Sequence, residues 1–318
     1  MKKIISMLMA VSLIAFMASC EKDDNGNTDN PPNNGEIQDP QDPDNPDDPD
    51  NPQDPVENTA KIHTITTTYS DGDQETVTFT WSGNQLTRLV TTSSDGDNES
   101  IDYTYSNGQL VKATLSDTSY YDVAYAGDKV STISEYVKGE IKSKVDFTYT
   151  NQRITAITYT SYDEDEDEDD DDYKALNKRS STYKFMCSVL PRAAVNSIMA
   201  LRKSLKGAKE VTSYTYNLTW SGNNITSIGS TMYGYTYTIN YTYDNMNNPY
   251  YGLTAVLVED GFTQYASANN ALTTNISMPT LGFNETVTCT YEYNSNKYPV
   301  KVTETDEDGT TVSVIEYL

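Results

Sequence analysis

A short pattern recurs along this chain and restricts it to one kind of architecture. An alternating strand ends in Trp or Tyr, a turn of Ser, Gly and Asn follows, and an apolar residue stands five positions beyond the aromatic. Clear copies are TFTWSGNQL ending at Leu86, DYTYSNGQL at Leu110, DVAYAGDKV at Val130, DFTYTNQRI at Ile154 and NLTWSGNNI at Ile225. Two weaker copies start at Asn240 and end at Tyr298. The aromatic anchors are Trp81, Tyr105, Tyr125, Tyr149, Trp220, Tyr243 and Tyr293, and most neighbours stand 20 to 24 residues apart, the length of one hairpin and its return.

The strands alternate with period two. Val77, Phe79 and Trp81 share one face and Thr76, Thr78 and Thr80 the other; Tyr235, Tyr237, Ile239, Tyr241 and Tyr243 oppose Thr236, Thr238, Asn240 and Thr242. Aromatic and β-branched residues at this period make half-buried antiparallel strands. The Gly and Asn of each turn supply the positive φ that tight hairpins need. A second apolar residue follows the first by three positions, as in Leu86 and Leu89, Ile154 and Ile157, Ile225 and Ile228. Three is odd, so a regular strand would place these on opposite faces; a bulge near the turn reconciles them. The expectation is an all-β, up-and-down antiparallel meander of about fourteen or more strands, curled or closed because a long exposed edge invites pairing with other chains.

These hairpins resemble those of Bacteroidota lipoproteins of unknown function with a porin-like fold and, more distantly, the YD repeats of RHS-type shell proteins. The likeness covers most of residues 61–318 and rests on strand-and-turn motifs, so it implies a fold and no catalytic residues. One strand face is Thr, Asn and Asp and the other mostly Tyr, whereas a barrel facing lipid needs an aliphatic outer face. A soluble porin-like barrel is therefore expected.

The start of the chain carries an address. Met1-Lys2-Lys3 precedes an apolar run, Ile4 to Phe16, too short to span a bilayer at roughly 20 residues per crossing, and of the length of a secretory signal. Ala18 and Ser19 directly before Cys20 resemble the lipobox read by lipoprotein signal peptidase. That resemblance implies a signal peptide over 1–19, acylation of Cys20, and outer-membrane lipid as the partner of the anchor. Glu21-Lys22-Asp23-Asp24 resembles the export signal of Bacteroidota surface lipoproteins, which implies an outward-facing domain.

Between the anchor and the first strand, residues 21–59 hold eight of the twelve prolines and 13 acids against Lys22 alone. Such a composition cannot bury enough apolar surface to offset its ordering entropy. Residues 20–59 are expected to form a disordered acidic spacer, reaching about 120 Å at about 3.1 Å per residue. This spacer and the unbroken acidic run 163–172 carry most of the net charge of −25; outside them and the signal, 24 acids face 19 bases. Nothing here offers the positive surface that nucleic acid needs.

The repeat is interrupted twice. Residues 163–209 hold the acidic run, then a stretch, 174–209, with nine Lys or Arg and no acid. Ser188 to Lys206 reads as a helix: Pro191 suits its first turn, Val195, Ile198, Met199 and Leu205 form a stripe, and Arg202, Lys203 and Lys206 precede Gly207. It serves as packing over one end of the sheet, as a basic patch, or as a plug. Residues 253–284 read as an apolar stretch, Leu253 to Val258, followed by an Asn-, Ala- and Thr-rich connection that is either plain or a binding loop.

Catalytic and metal signatures are sparse. His63, the single histidine, sits on the first Thr-rich strand and reads as a strand-face residue. Asp71-Gly72-Asp73 and Asp95-Gly96-Asp97 fall between strands, where Asp-Gly signals a turn rather than calcium ligands. Cys187 and Cys289 read as two buried thiols, although the compartment permits their pairing. No catalytic, cofactor-binding or metal residue is assigned, and no cofactor is expected. The leading reading is a non-catalytic binding or scaffold domain whose tyrosines, 26 in number, would meet a glycan or another envelope protein. Two alternatives remain open: a polysaccharide-acting hydrolase, marked by two carboxyls in a cleft, and a carrier of a small apolar ligand, marked by an empty lumen.

Overall fold

A computed structural model describes residues 60–162 and 213–318, apart from 95, 97, 233–234, 259–260 and 307–308. The signal, Cys20, the acidic spacer, the expected helix 188–206 and Cys187 lie outside the described residues.

Sixteen strands run in chain order. The first nine are β1 (Ile62–Thr68), β2 (Gln74–Ser82), β3 (Gln85–Ser93), β4 (Asn98–Ser106), β5 (Gln109–Thr114), β6 (Ser119–Ala126), β7 (Lys129–Val137), β8 (Glu140–Thr150) and β9 (Arg153–Ser161). Then follow β10 (Ser213–Ser221), β11 (Asn224–Met232), β12 (Tyr235–Tyr243), β13 (Ala271–Met278), β14 (Phe283–Tyr293), β15 (Pro299–Asp306) and β16 (Gly309–Tyr317). Each pairs antiparallel with its neighbours in sequence, and β1 pairs with β16 through Ile65↔Ile315 and Thr67↔Ser313. The barrel is closed and no edge is left to pair with another chain.

The two faces of the wall differ sharply. Inward lie Ile65, Val77, Phe79, Leu89, Ile101, Ile133, Ile157, Ile239 and Ile276, all buried. Outward lie Thr64, Thr66, Thr76, Thr78, Asp102 and Thr104, half-buried or exposed. This polarity is the reverse of a lipid-spanning barrel, whose outer band is apolar and whose lumen is polar. The lumen is filled by two apolar clusters, one mainly from β9–β14 and one mainly from β1–β7 with β15 and β16; Val145, Phe147, Leu257 and Cys289 pack against both. Side chains such as Ile225 and Ile228, fully removed from solvent, contribute about 1.5–3 kcal/mol each.

The odd spacing of the apolar pairs has a simple cause. Opposite each anchor the ladder slips by one residue: Trp81 pairs with Leu86 and Thr80 with Arg88, leaving Thr87 as the extra residue. The same slip occurs at Tyr105, Tyr125, Tyr149, Trp220, Tyr243 and Tyr293. The bulge turns Leu86 and Leu89 to the same, inner face, and both are buried. The bulged threonine hydroxyls of Thr87, Thr155 and Thr226 donate to the carbonyls of Thr80, Thr148 and Thr219. The β4–β5 turn shows why the turn residues matter, since Asn107 and Gly108 sit at φ 51° and 85°.

Residues 253–284 are not one loop, which corrects the sequence reading. Residues 271–278 form β13, the return strand of anchor Tyr243, which pairs with Ala271; its inward Thr274, Ile276 and Met278 are buried. The stretch before it enters the barrel as a plug. Helix α1 (Thr254–Leu257) buries Ala255 and Val256 in one cluster, and α2 (Phe262–Ala266) buries Phe262 and Ala266 in the other. Helix α1 reaches β5, on the wall opposite β12 and β13. Asparagines on the flanking strand ends and turns hold this plug. Asn248 Nδ2 donates to the carbonyls of Gln264 and Ser267, both at 2.7 Å, and Asn224 Nδ2 donates to Asn269 Oδ1 at 2.9 Å.

Candidate binding site

The anchors close one end of the barrel by a common device. Each ring crosses to the preceding strand and donates to the carbonyl of its apolar residue: Trp81 Nε1 to Ile62 (2.8 Å), Tyr105 to Leu86 (2.9 Å), Tyr149 to Val130 (2.8 Å) and Trp220 Nε1 to Ile154 (2.8 Å). Tyr291 reaches Ala271 and Tyr317 reaches Pro299, both at 2.7 Å. The apolar residue of the motif thus has two uses, its side chain filling the core and its carbonyl receiving the next anchor. Burial pushes the Tyr105 hydroxyl up to about 12, helped by Tyr125, so it remains a donor at any physiological pH. The pattern is interrupted where the plug enters: Tyr243 shares a hydrogen bond with Ser267 Oγ, which also accepts from the Ile225 amide, and Tyr293 bonds Asp244. The motif spacing does not single out Tyr291, which lies two residues before the anchor position, or Tyr317, which the motif's turn does not follow.

Beside the clasp, the plug brings further tyrosines against the hairpin tips. Tyr265 of α2 lies near Tyr125, Tyr251 and Asp128; burial first, then these neighbours, push its hydroxyl up to about 12. Tyr149 is raised by burial, then by Tyr265, Tyr125 and Asp128. Tyr251, also raised by burial, is pulled down by the guanidinium of Arg153. That guanidinium lies 5.8 Å from the centroid of the Trp220 ring, and Lys129 Nζ lies 5.1 Å from that of Tyr149. Arg153 Nη2 is buried without a hydrogen-bond partner. Between the plug and β12–β14, a small cleft of about 50 Å³ is lined by Tyr241, Tyr243, Tyr250, Asn270, Cys289 and Tyr291 among others. The sequence held the rings but not their convergence, since Tyr251 and Tyr265 belong to neither the strand pattern nor the anchors.

The opposite end is acidic inside. Glu75, Glu135 and Glu304 point inward and are buried; Glu135 accepts from Ser143 Oγ at 2.9 Å and Glu304 from Cys289 Sγ at 3.4 Å. Burial, then the neighbouring Glu99, raises the Glu75 carboxyl from 4.5 to about 7. Residue parity could have found Glu75, which shares its face with Val77 and Phe79. Cys289 is a free, partly buried thiol, and burial, then Glu304, pushes it well above the ordinary range. His63 is exposed on β1. Asp71-Gly72-Asp73 forms a turn, with the Tyr69 amide bonded to the Asp73 carbonyl at 2.9 Å and the Asp73 amide to Asp71 Oδ1 at 3.2 Å. Asp95 and Asp97 lie outside the described residues. Among the described residues, no group of three or more His, Cys, Asp or Glu is placed to hold a metal ion.

No protein-family model matches the sequence, and no curated protein does. The barrel is similar to that of solved porin-like proteins. One from Bacteroides uniformis aligns over 81% of this chain and 98% of its own, with a TM-score of 0.51 at 11% identity. Another, from Bacteroides vulgatus, aligns over 81% of this chain and 99% of its own, with a TM-score of 0.49 at 8% identity. The first likeness establishes a shared porin-like barrel fold; at that identity it carries no activity across.

Proposed function

We propose that this protein is a lipoprotein anchored in the outer membrane through acylated Cys20, facing the cell exterior, and that its barrel is a non-catalytic domain for binding a glycan at the clasped end. The observation that carries the binding reading is the polarity of the barrel. Its lumen is packed with side chains and plugged, and its outer wall is threonine-rich, so neither a channel nor a lipid-facing surface is on offer. What remains for recognition is the clasped end, where half-exposed rings and hydroxyls lie together on rigid strand ends. The lipobox at Cys20, the acidic residues after it and the proline-rich spacer support presentation at a distance from the membrane.

A small-ligand carrier gains little, because the tyrosine- and amide-lined cleft between the plug and β12–β14 holds only about 50 Å³, far below the few hundred Å³ of a typical ligand site. The hydrolase reading gains less. The neighbouring carboxyls Glu75 and Glu99 belong to the inner wall, and Glu75 is only 4% exposed. Two measurements test the proposal. Protease added to intact cells should remove the domain, and protection there would sink the outward-facing claim. Titration of the purified chain against oligosaccharides should show saturable binding, which a variant with the plug tyrosines Tyr251 and Tyr265 replaced by Ala loses; binding unchanged in that variant would move the site elsewhere.

A further inference from the structure

We infer that Arg153, held over Trp220 and beside Tyr251, is a subsite for a carboxylate carried on a saccharide ring. The inference rests on the binding reading above and names the ligand class. Among the described residues, four bases on the barrel have carboxylate partners, including Arg88 with Asp102 at 3.1 Å, Lys144 with Asp146 at 2.9 Å and Lys301 with Glu292 at 2.8 Å, while Lys112 and Lys129 lie over tyrosine rings instead. Arg153 makes no ion pair among the described residues, and its Nη2 is buried with its hydrogen-bonding capacity unused. A buried donor left unmade is costly, and the guanidinium of Arg153, which is only half-buried, recovers that cost by turning toward an acceptor that a ligand supplies at its exposed edge.

The surroundings select the acceptor. Guanidinium presents parallel donors that match a planar carboxylate, and its seat over the Trp220 ring fixes the direction of that fork. The Tyr251 hydroxyl beside it stays neutral at physiological pH, so it both donates and accepts, as sugar hydroxyls require.

The test uses the full mature chain and calorimetric titration with a galacturonate trisaccharide, its neutral methyl ester, and inorganic phosphate. The acidic trisaccharide should bind, and Arg153→Gln should weaken it about 10- to 100-fold while leaving the ester unchanged. Arg153→Lys should recover part of the affinity and none of the preference for a planar acceptor; thermal unfolding of both variants separates loss of contact from loss of fold. Equal affinity for acid and ester, untouched by Arg153→Gln, overturns the subsite and leaves the binding reading standing. Arg153-dependent binding of phosphate without the trisaccharide overturns the saccharide assignment. Binding of none of these sugars by a folded chain overturns the inference, while neutral glycans remain to judge the parent proposal.

Discussion

Replacing Glu75 by Gln tests how the barrel tolerates an acid in its inner wall. Glu75 stands at the open end of β2, on the face of Val77 and Phe79, with Oε1 buried and without a hydrogen-bond partner. Burial and the nearby Glu99 raise its carboxyl from 4.5 to about 7. Because the folded value lies above the unfolded one, the folded state holds a proton that the unfolded state has released between those two values. Stability is therefore greatest below about pH 4.5, falls as pH rises through the window to about 7, and is level above it. At 1.36 kcal/mol per unit, a rise of this size makes the contribution about 3 kcal/mol. Glutamine keeps the shape and cannot ionise. Urea denaturation of both proteins from about pH 4.5 to about pH 8 should show the variant gaining on the native chain by about 1.4 kcal/mol per pH unit up to about pH 7, then holding constant. Titrating groups that do not interact with Glu75 cancel in the difference. Two profiles that stay parallel across this window would refute the reasoning, for then Glu75 is as well solvated in the barrel as in the unfolded chain.

Three further substitutions probe the clasp and the plug. Tyr149→Phe deletes the bond to the Val130 carbonyl and should lower stability by about 1 kcal/mol, read as a lower urea midpoint at unchanged slope. Gln152→Gly relieves a non-glycine residue at φ 69° in the β8–β9 turn; the urea midpoint should rise by the equivalent of about 0.5–1 kcal/mol, and a fall would mean that the side chain does more than the backbone strain costs. Gly261→Ala places a Cβ 2.0 Å from Val256 Cγ1, between α1 and α2, so the plug must shift. The expected cost is about 1–3 kcal/mol, with faster amide exchange in 254–266 than in the strands.

Much of the wall was legible in the sequence because its information is local. Period-two alternation sorts Val77, Phe79 and Trp81 from Thr76, Thr78 and Thr80 without knowing what lies across the sheet, and Asn107-Gly108 specifies a turn through its own φ angles. Even the bulge was foreshadowed, since Leu86 and Leu89 are three apart and only a slipped ladder puts both inside. Strand β13 escaped because the residue that pairs with its anchor Tyr243 is Ala271, far beyond the five-position spacing of the motif.

The sequence by itself therefore determined an antiparallel chain of hairpins with an anchor at the end of most, because each of these features is settled by residues within one turn of one another. The tertiary structure decided the rest. Closure depends on β1 meeting β16 across the whole chain, and filling of the lumen depends on how far apart the walls stand. The plug crosses to β5, and Arg153, Trp220 and Tyr251 meet only because it does not run along the surface. Such contacts join segments that share no local pattern. Their energy comes from buried area and matched polar groups, which exist only once the barrel has closed around them.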